Sequence, residues 1–119
     1  DVVESGIFDK LKQEGVVLGV ISNWDSRLHA ILESMGLAGH FDFILASAEV
    51  GSTKPDGKIF TEALKQSGVM PEDTCHIGDD PYADVHGAKT VGMDAILIDR
   101  KGRHKKDSFT IVRSFMELL

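Results

Sequence analysis

Four apolar runs of strand length punctuate this chain, and an amphipathic stretch follows each. The runs are Gly15 to Ile21 (GVVLGVI), Phe41 to Ala46 (FDFILA), Thr74 to Ile77 (TCHI) and Asp94 to Ile98 (DAILI). Three of them lack polar alternation, which is expected of strands covered on both faces by helices. The intervening stretches carry helical periodicity. From Ser26 to Met35, Leu28, Ile31, Leu32 and Met35 recur on one face, with Asp25 or Ser26 as cap and Gly36 as stop. From Asp56 to Ser67 the apolar face is Ile59, Phe60, Ala63 and Leu64, ending at Gly68. A third helix is predicted from about Tyr82 to Val91, stopped by Gly92. Another, through Ile7, Phe8 and Leu11, is predicted ahead of the first strand, and a last one over Phe109 to Leu119. Strands alternating with helices make βαβ units, hence an α/β domain with a mostly parallel sheet.

Length and composition narrow the function without naming it. A chain of 119 residues suits one domain. Its formal charge of −6 argues against general affinity for nucleic acid or an anionic membrane. No apolar run approaches the roughly 20 residues that span a bilayer. Asp1 and Glu4 stand where a signal peptide would need basic and then apolar residues. The single cysteine, Cys75, rules out an internal disulfide and suits a reducing cytosol; inside a predicted strand it reads as a buried, inert thiol. The one charge run, Lys101 to Lys106, reads as a solvated loop.

In open parallel sheets ligands bind beyond the carboxyl ends of the strands, so chemistry is sought just after each run. Ser22 and Asn23 follow the first run. A hydroxyl there, beside the free N–H groups of a helix start, can cradle a phosphate oxygen, although the pair could equally be a turn and a cap. Lys54-Pro55-Asp56 precedes the second well-bounded helix; proline biases Lys54 toward an extended backbone, and Asp56 is a natural N-cap. After the third run, Asp79, Asp80 and Asp84 place three carboxylates within six residues. Such a group needs a cation or a basic partner, and magnesium accepts one or two carboxylates with water; an acidic helix start explains it as well. The five histidines, His29, His40, His76, His86 and His104, show no metal-ligand spacing. His76 lies close to Gly78 but takes no assigned role.

The order of these pieces is more telling than any one of them. A strand ending in Ser22-Asn23, then Lys54-Pro55-Asp56 before a helix, then Gly78-Asp79-Asp80 with Asp84 beyond, resembles motifs two, three and four of the haloacid dehalogenase (HAD) superfamily. The flanking residues Ile21 to Arg27, Glu49 to Gly51, Ile59-Phe60, Gly87-Ala88 and Val91 to Met93 resemble the branch with a helical cap inserted after motif one. Gly57 and Asp80 depart slightly, standing where that branch often has Pro and Ser. The resemblance implies a Rossmann-like parallel-sheet core, incomplete, with about four strands and the nucleophile strand missing. It implies that Ser22 and the Asn23 backbone hold a substrate phosphate and that Lys54 neutralises charge in the transition state. Asp79 would then bind Mg2+, with Asp80 as a second-choice ligand, while Asp84 orients Lys54 or the metal's waters. Trp24 could reach over the site entrance.

The same resemblance points to what these residues lack. The family's nucleophile is the first Asp of Asp-x-Asp-x-Thr/Val, which forms an aspartyl-phosphate, and no such motif occurs in this sequence. Neither Asp1 nor Asp99 maps onto it. Its strand would lie between those carrying Ser22 and Asp79, so its loss implies either a gap of about 10 Å or a sheet closed across it. The expected function is therefore the carboxy-terminal portion of a cytoplasmic, magnesium-dependent phosphohydrolase acting on a small phosphorylated metabolite, inactive without its nucleophile. Haloacid dehalogenation ranks below phosphate ester hydrolysis, since the apolar halide pocket would come mainly from the cap. The alternative is a non-catalytic module that binds or self-associates, or pairs with an amino-terminal segment. A receiver domain is excluded by order: it needs its acidic pair on the first strand and its lysine near the last.

Overall fold

A computed structural model describes residues 6–99, 102 and 110–112. The helix α1 (Ile7–Gln13) leads into β1 (Gly19–Ser22), followed by α2 (Arg27–Ser34), β2 (Phe43–Ala46) and the single turn α3 (Ser47–Val50). Then come α4 (Gly57–Ser67), β3 (Cys75–Gly78), a π-helical turn over Pro81–His86 running into α5 (Gly87–Thr90), β4 (Asp94–Ile98) and β5 (Thr110–Val112). Every pairing is parallel, as the alternation of elements predicts.

The strands nevertheless form two sheets, β1–β2 and β3–β4–β5. No ladder joins β1 to β3 among the described residues. Of the two arrangements expected from a missing central strand, the interrupted one is found. Within each sheet the register sets the carboxyl ends level, with Ser22 beside Ala46 and Gly78 beside Leu97. A common core spans the interruption. Ile59 and Phe60 of α4 pack with Val85, Ala88, Met93, Ala95 and Leu97, and both Ile21 of β1 and Ile111 of β5 lie against this cluster.

Two expectations about the strands need correction. The first run does not become a strand until Gly19. Gly15, at φ 79°, ends α1 in a left-handed turn, and Val16 and Val17 remain exposed before the ladder begins. Gly19 itself faces the Phe43 ring, which would occupy the place of any side chain there. The last helix, predicted over Phe109 to Leu119, is strand over Thr110–Val112, where three β-branched residues in a row favour the pleated conformation. The rest of that helix, and the Lys101 to Lys106 run apart from Gly102, lie outside the described residues.

The helices follow their patterns, with one exception. In α4, Ile59, Phe60 and Ala63 are buried, Asp56 accepts a hydrogen bond from the Lys58 N–H (3.1 Å), and Gly68 closes the helix at φ 71°. In α2 only Leu28 is buried, and Ile31 and Met35 stay exposed. Its start is held by Asp25, whose carboxylate accepts from the Arg27 N–H at 2.9 Å. Cys75 is exposed rather than buried, because it opens a strand that has a neighbour on one side only. Partial desolvation and the nearby Asp94 carboxylate push its thiol pKa up, which disfavours the nucleophilic thiolate.

Candidate active site

The loops leaving β1, β2 and β3 are tied to one another by hydrogen bonds. Trp24, just past β1, offers its carbonyl to the Ser47 hydroxyl (3.0 Å) and the Ala48 N–H (2.9 Å), which joins it to the start of α3. Its ring lies 5.6 Å from the Arg27 guanidinium. Asn23 makes a two-point clasp on Lys54: the Lys54 N–H donates to Asn23 Oδ1 (2.7 Å), and Asn23 Nδ2 donates to the Lys54 carbonyl (3.1 Å). The hydroxyl of Ser22, one residue back, has no partner among the described residues.

From that anchored backbone the Lys54 side chain reaches the other sheet. Its ammonium donates to Asp84 Oδ1 at 2.5 Å, with side chains only 12% and 4% exposed. The same oxygen faces His76 Nε2 at 2.9 Å, while Oδ2 accepts the Asp80 N–H at 3.1 Å. Burial alone would raise the Asp84 pKa. The hydrogen bonds from His76 and Lys54, with the Lys54 charge, outweigh it and hold the carboxyl well below the usual carboxylate range.

Local sequence explains why Asp84 points inward. Pro81 begins the turn at a position that needs no N–H, and Asp80 Oδ1 caps it by accepting from Tyr82 (2.8 Å) and Ala83 (3.0 Å). The Val85 N–H reaches back to the Asp80 carbonyl (3.3 Å), widening the turn to a π-helical one and burying Asp84 and Val85 together. Gly78 leaves the room that the Asp84 carboxylate occupies. Gly87 plays a similar part against α4, since a β-carbon there would sit 2.7 Å from the Phe60 ring and 3.0 Å from Pro55 Cα.

The sequence-derived residues thus fall into two groups. Asn23, Lys54 and Asp84 meet along one line of contacts across the interruption, and Ser22 precedes Asn23 at the end of β1. Asp79 and Asp80 lie at the exposed end of β3; Asp80 serves as a helix cap, and the Asp79 carboxylate has no partner among the described residues. No cluster of three or more His, Cys, Asp or Glu side chains suited to a metal occurs among the described residues. His76 was not assigned from sequence. A signal was available, because His76 lies two residues before Gly78 and therefore on the same face of β3.

Comparison with known proteins decides the family. The model for haloacid dehalogenase-like hydrolases matches residues 4–98. This chain belongs to that family. A HAD-like hydrolase domain-containing protein 3 from Mus musculus is 45% identical over 87 residues, covering 73% of this chain and 35% of that protein. A phosphoserine phosphatase from Thermus thermophilus is 40% identical over 90 residues, covering 75% of this chain and 36% of its own length. Among solved structures, a HAD phosphatase from Thermococcus onnurineus superposes with a TM-score of 0.88 at 31% identity, over 93% of this chain and 52% of that one. The HAD chain described here therefore spans little more than a third of the length of these two curated relatives. Among its described residues no helix is long and apolar enough to cross a membrane.

Proposed function

We propose that this HAD chain supplies the phosphate-binding and charge-neutralising groups of a magnesium-dependent phosphohydrolase. Its substrate is a small phosphate monoester, and the attacking aspartate comes from a segment outside these 119 residues. The observation that carries the reading is Lys54, anchored by its backbone to the residue after Ser22 and by its ammonium to Asp84. Relatives that bear the word phosphatase in their names support it.

In this reading the Ser22 hydroxyl donates to a phosphate oxygen. The Lys54 ammonium keeps Asp84 on one side and faces the phosphate on the other, where negative charge gathers as the ester bond breaks. A preorganised cation of this kind is most useful in the transition state. Asp84 holds Lys54 in place and stays ionised. The donor set at the end of β3 fits Mg2+, which takes oxygen ligands, readily keeps several waters and needs one or two carboxylates. Asp79, exposed and unpartnered among the described residues, would hold it, with the second oxygen of Asp80 available. When bound, the ion would supply further charge neutralisation to the phosphoryl group.

The test is to join the chain to an amino-terminal segment carrying an Asp-x-Asp strand and a helical cap. Phosphate release from a panel of monoesters is then measured with Mg2+ and with chelator. Turnover that needs Mg2+ and disappears in Lys54→Ala supports the proposal. Phosphate binding without turnover would favour a non-catalytic binding module, and halide release from 2-haloacids without phosphate release would favour a dehalogenase.

A further inference from the structure

We propose that His76 is a positioning residue for Lys54, acting through the one carboxylate oxygen that the two share. The inference rests on the phosphohydrolase reading for what Lys54 does, while its test requires no substrate.

Asp84 Oδ1 faces the Lys54 ammonium at 2.5 Å and His76 Nε2 at 2.9 Å, and Oδ2 faces the Asp80 N–H at 3.1 Å. A carboxylate offers acceptors only, so the imidazole nitrogen on Oδ1 must carry a hydrogen. His76 therefore donates from Nε2. Three donors from three directions fix the plane of the Asp84 carboxylate, and the position of Oδ1 fixes where the ammonium can rest. Without the Nε2–H, one lone pair of Oδ1 would lose its partner in a site where both side chains are 12% exposed or less. The carboxylate could then rotate toward the ammonium and carry it off line.

The ring is held for this task from its other side. Phe60, fully buried in the core, meets the imidazole edge to face, with centroids 5.0 Å apart and planes at 86°. Alternation along β3 sends His76 and Gly78 to the same face, and the missing side chain of Gly78 admits the carboxylate that His76 then grips. A histidine that merely filled space would need the Phe60 contact alone. The shared oxygen is what makes it part of the lysine's support.

Two variants separate these roles. His76→Phe keeps the ring and its packing on Phe60 but removes the donor; His76→Gln restores an N–H near the position of Nε2. The readout is the 1H–15N signal of the Lys54 ammonium in the 119-residue chain, together with binding of inorganic phosphate. The expected result is loss of the ammonium signal and weaker phosphate binding in His76→Phe, with both recovered in His76→Gln. An unchanged Lys54 signal in His76→Phe, or no recovery in His76→Gln, would overturn the inference. The unsubstituted chain gives a check that does not depend on either variant folding. Nitrogen-15 NMR of His76 should show a proton on Nε2, and a bare Nε2 would sink the proposal outright. None of these readings depends on turnover, so a failed assay for phosphate release leaves them standing.

Discussion

Lys54 is held twice, and its two attachments differ in kind. At the β1 side Asn23 grips its backbone through two neutral hydrogen bonds, in the open. At the β3 side Asp84 and His76 hold its charge in a site almost shut to water. The difference follows from what each attachment must do. Backbone groups near solvent can always exchange a partner for water, so a clasp there sets direction at little energetic risk. A buried ammonium has no such substitute, and a counter-charge with both oxygens hydrogen-bonded is what makes its burial tolerable. The first attachment aims the lysine and the second makes its burial possible. Because β1 and β3 share no ladder, the same side chain also straps the two sheets together at their carboxyl ends.

Breaking the charged attachment should have the largest effect. Asp84→Asn leaves Lys54 buried without its counter-ion and turns an acceptor into a partial donor facing other donors. Loss of one partner of a buried pair costs about 3–5 kcal/mol, to be read from urea unfolding. Acid offers a second handle on the same bond. The folded chain holds the Asp84 carboxyl below its ordinary 3.8, so the unfolded chain binds the proton more readily. The stability this group contributes is complete above its unfolded pKa and is lost as pH falls through the folded value. Urea midpoints measured from neutral pH down past the ordinary carboxylate range should fall in the parent chain. The part of that fall due to Asp84 should be absent in Asp84→Asn; equal falls in both would show that the pair adds little.

Gly78→Ala attacks the same attachment by shape alone. Its β-carbon would run into the Asp84 carboxylate, which must move and take the Lys54 ammonium with it. Overpacking of this kind costs about 1–3 kcal/mol, and the unfolding midpoint should drop by less than in Asp84→Asn. Phosphate binding should suffer more than stability does. A variant as stable and as avid for phosphate as the parent would mean that Asp84 has room to spare.

The two attachments were not equally legible in the sequence. Lys54, Asp84, Ser22 and Asn23 stood out because their order along the chain resembles a known set of motifs, and α4 was plain from Ile59, Phe60 and Ala63 at helical spacing. Spacing could not say that Asn23 uses its side chain on Lys54, since a strand-to-helix corner fixes neither a rotamer nor a distant partner. His76 was hidden because four-residue β3 is too short to display a period, and only the glycine two positions on marked its face. The acidic stretch from Asp79 to Asp84 reads equally as metal ligands or as a helix start, with Asp80 a second-choice ligand; its Oδ1 caps the turn. β5 was missed because three β-branched residues sat inside a longer apolar pattern that fits a helix.

The smallest effect on stability belongs to the neutral clasp. Asn23→Ala removes both bonds to Lys54, at 2.7 and 3.1 Å, but leaves the freed N–H and carbonyl close to water. An intramolecular hydrogen bond of this sort contributes about 0.5–1.5 kcal/mol net, so the unfolding midpoint should fall only slightly. Aim should fall further than stability. Without the clasp, the segment carrying Lys54 is no longer tied to the residue after Ser22, and the proposed pairing of ammonium and hydroxyl on one phosphate loses its anchor. Inorganic phosphate should therefore bind more weakly to Asn23→Ala while the Lys54–Asp84 ion pair persists, visible as an unchanged Lys54 ammonium signal. If Asn23→Ala instead destabilised the chain as much as Asp84→Asn, the division between an attachment that aims and one that compensates charge would be wrong. The strap across the interrupted sheet would then depend on both ends alike.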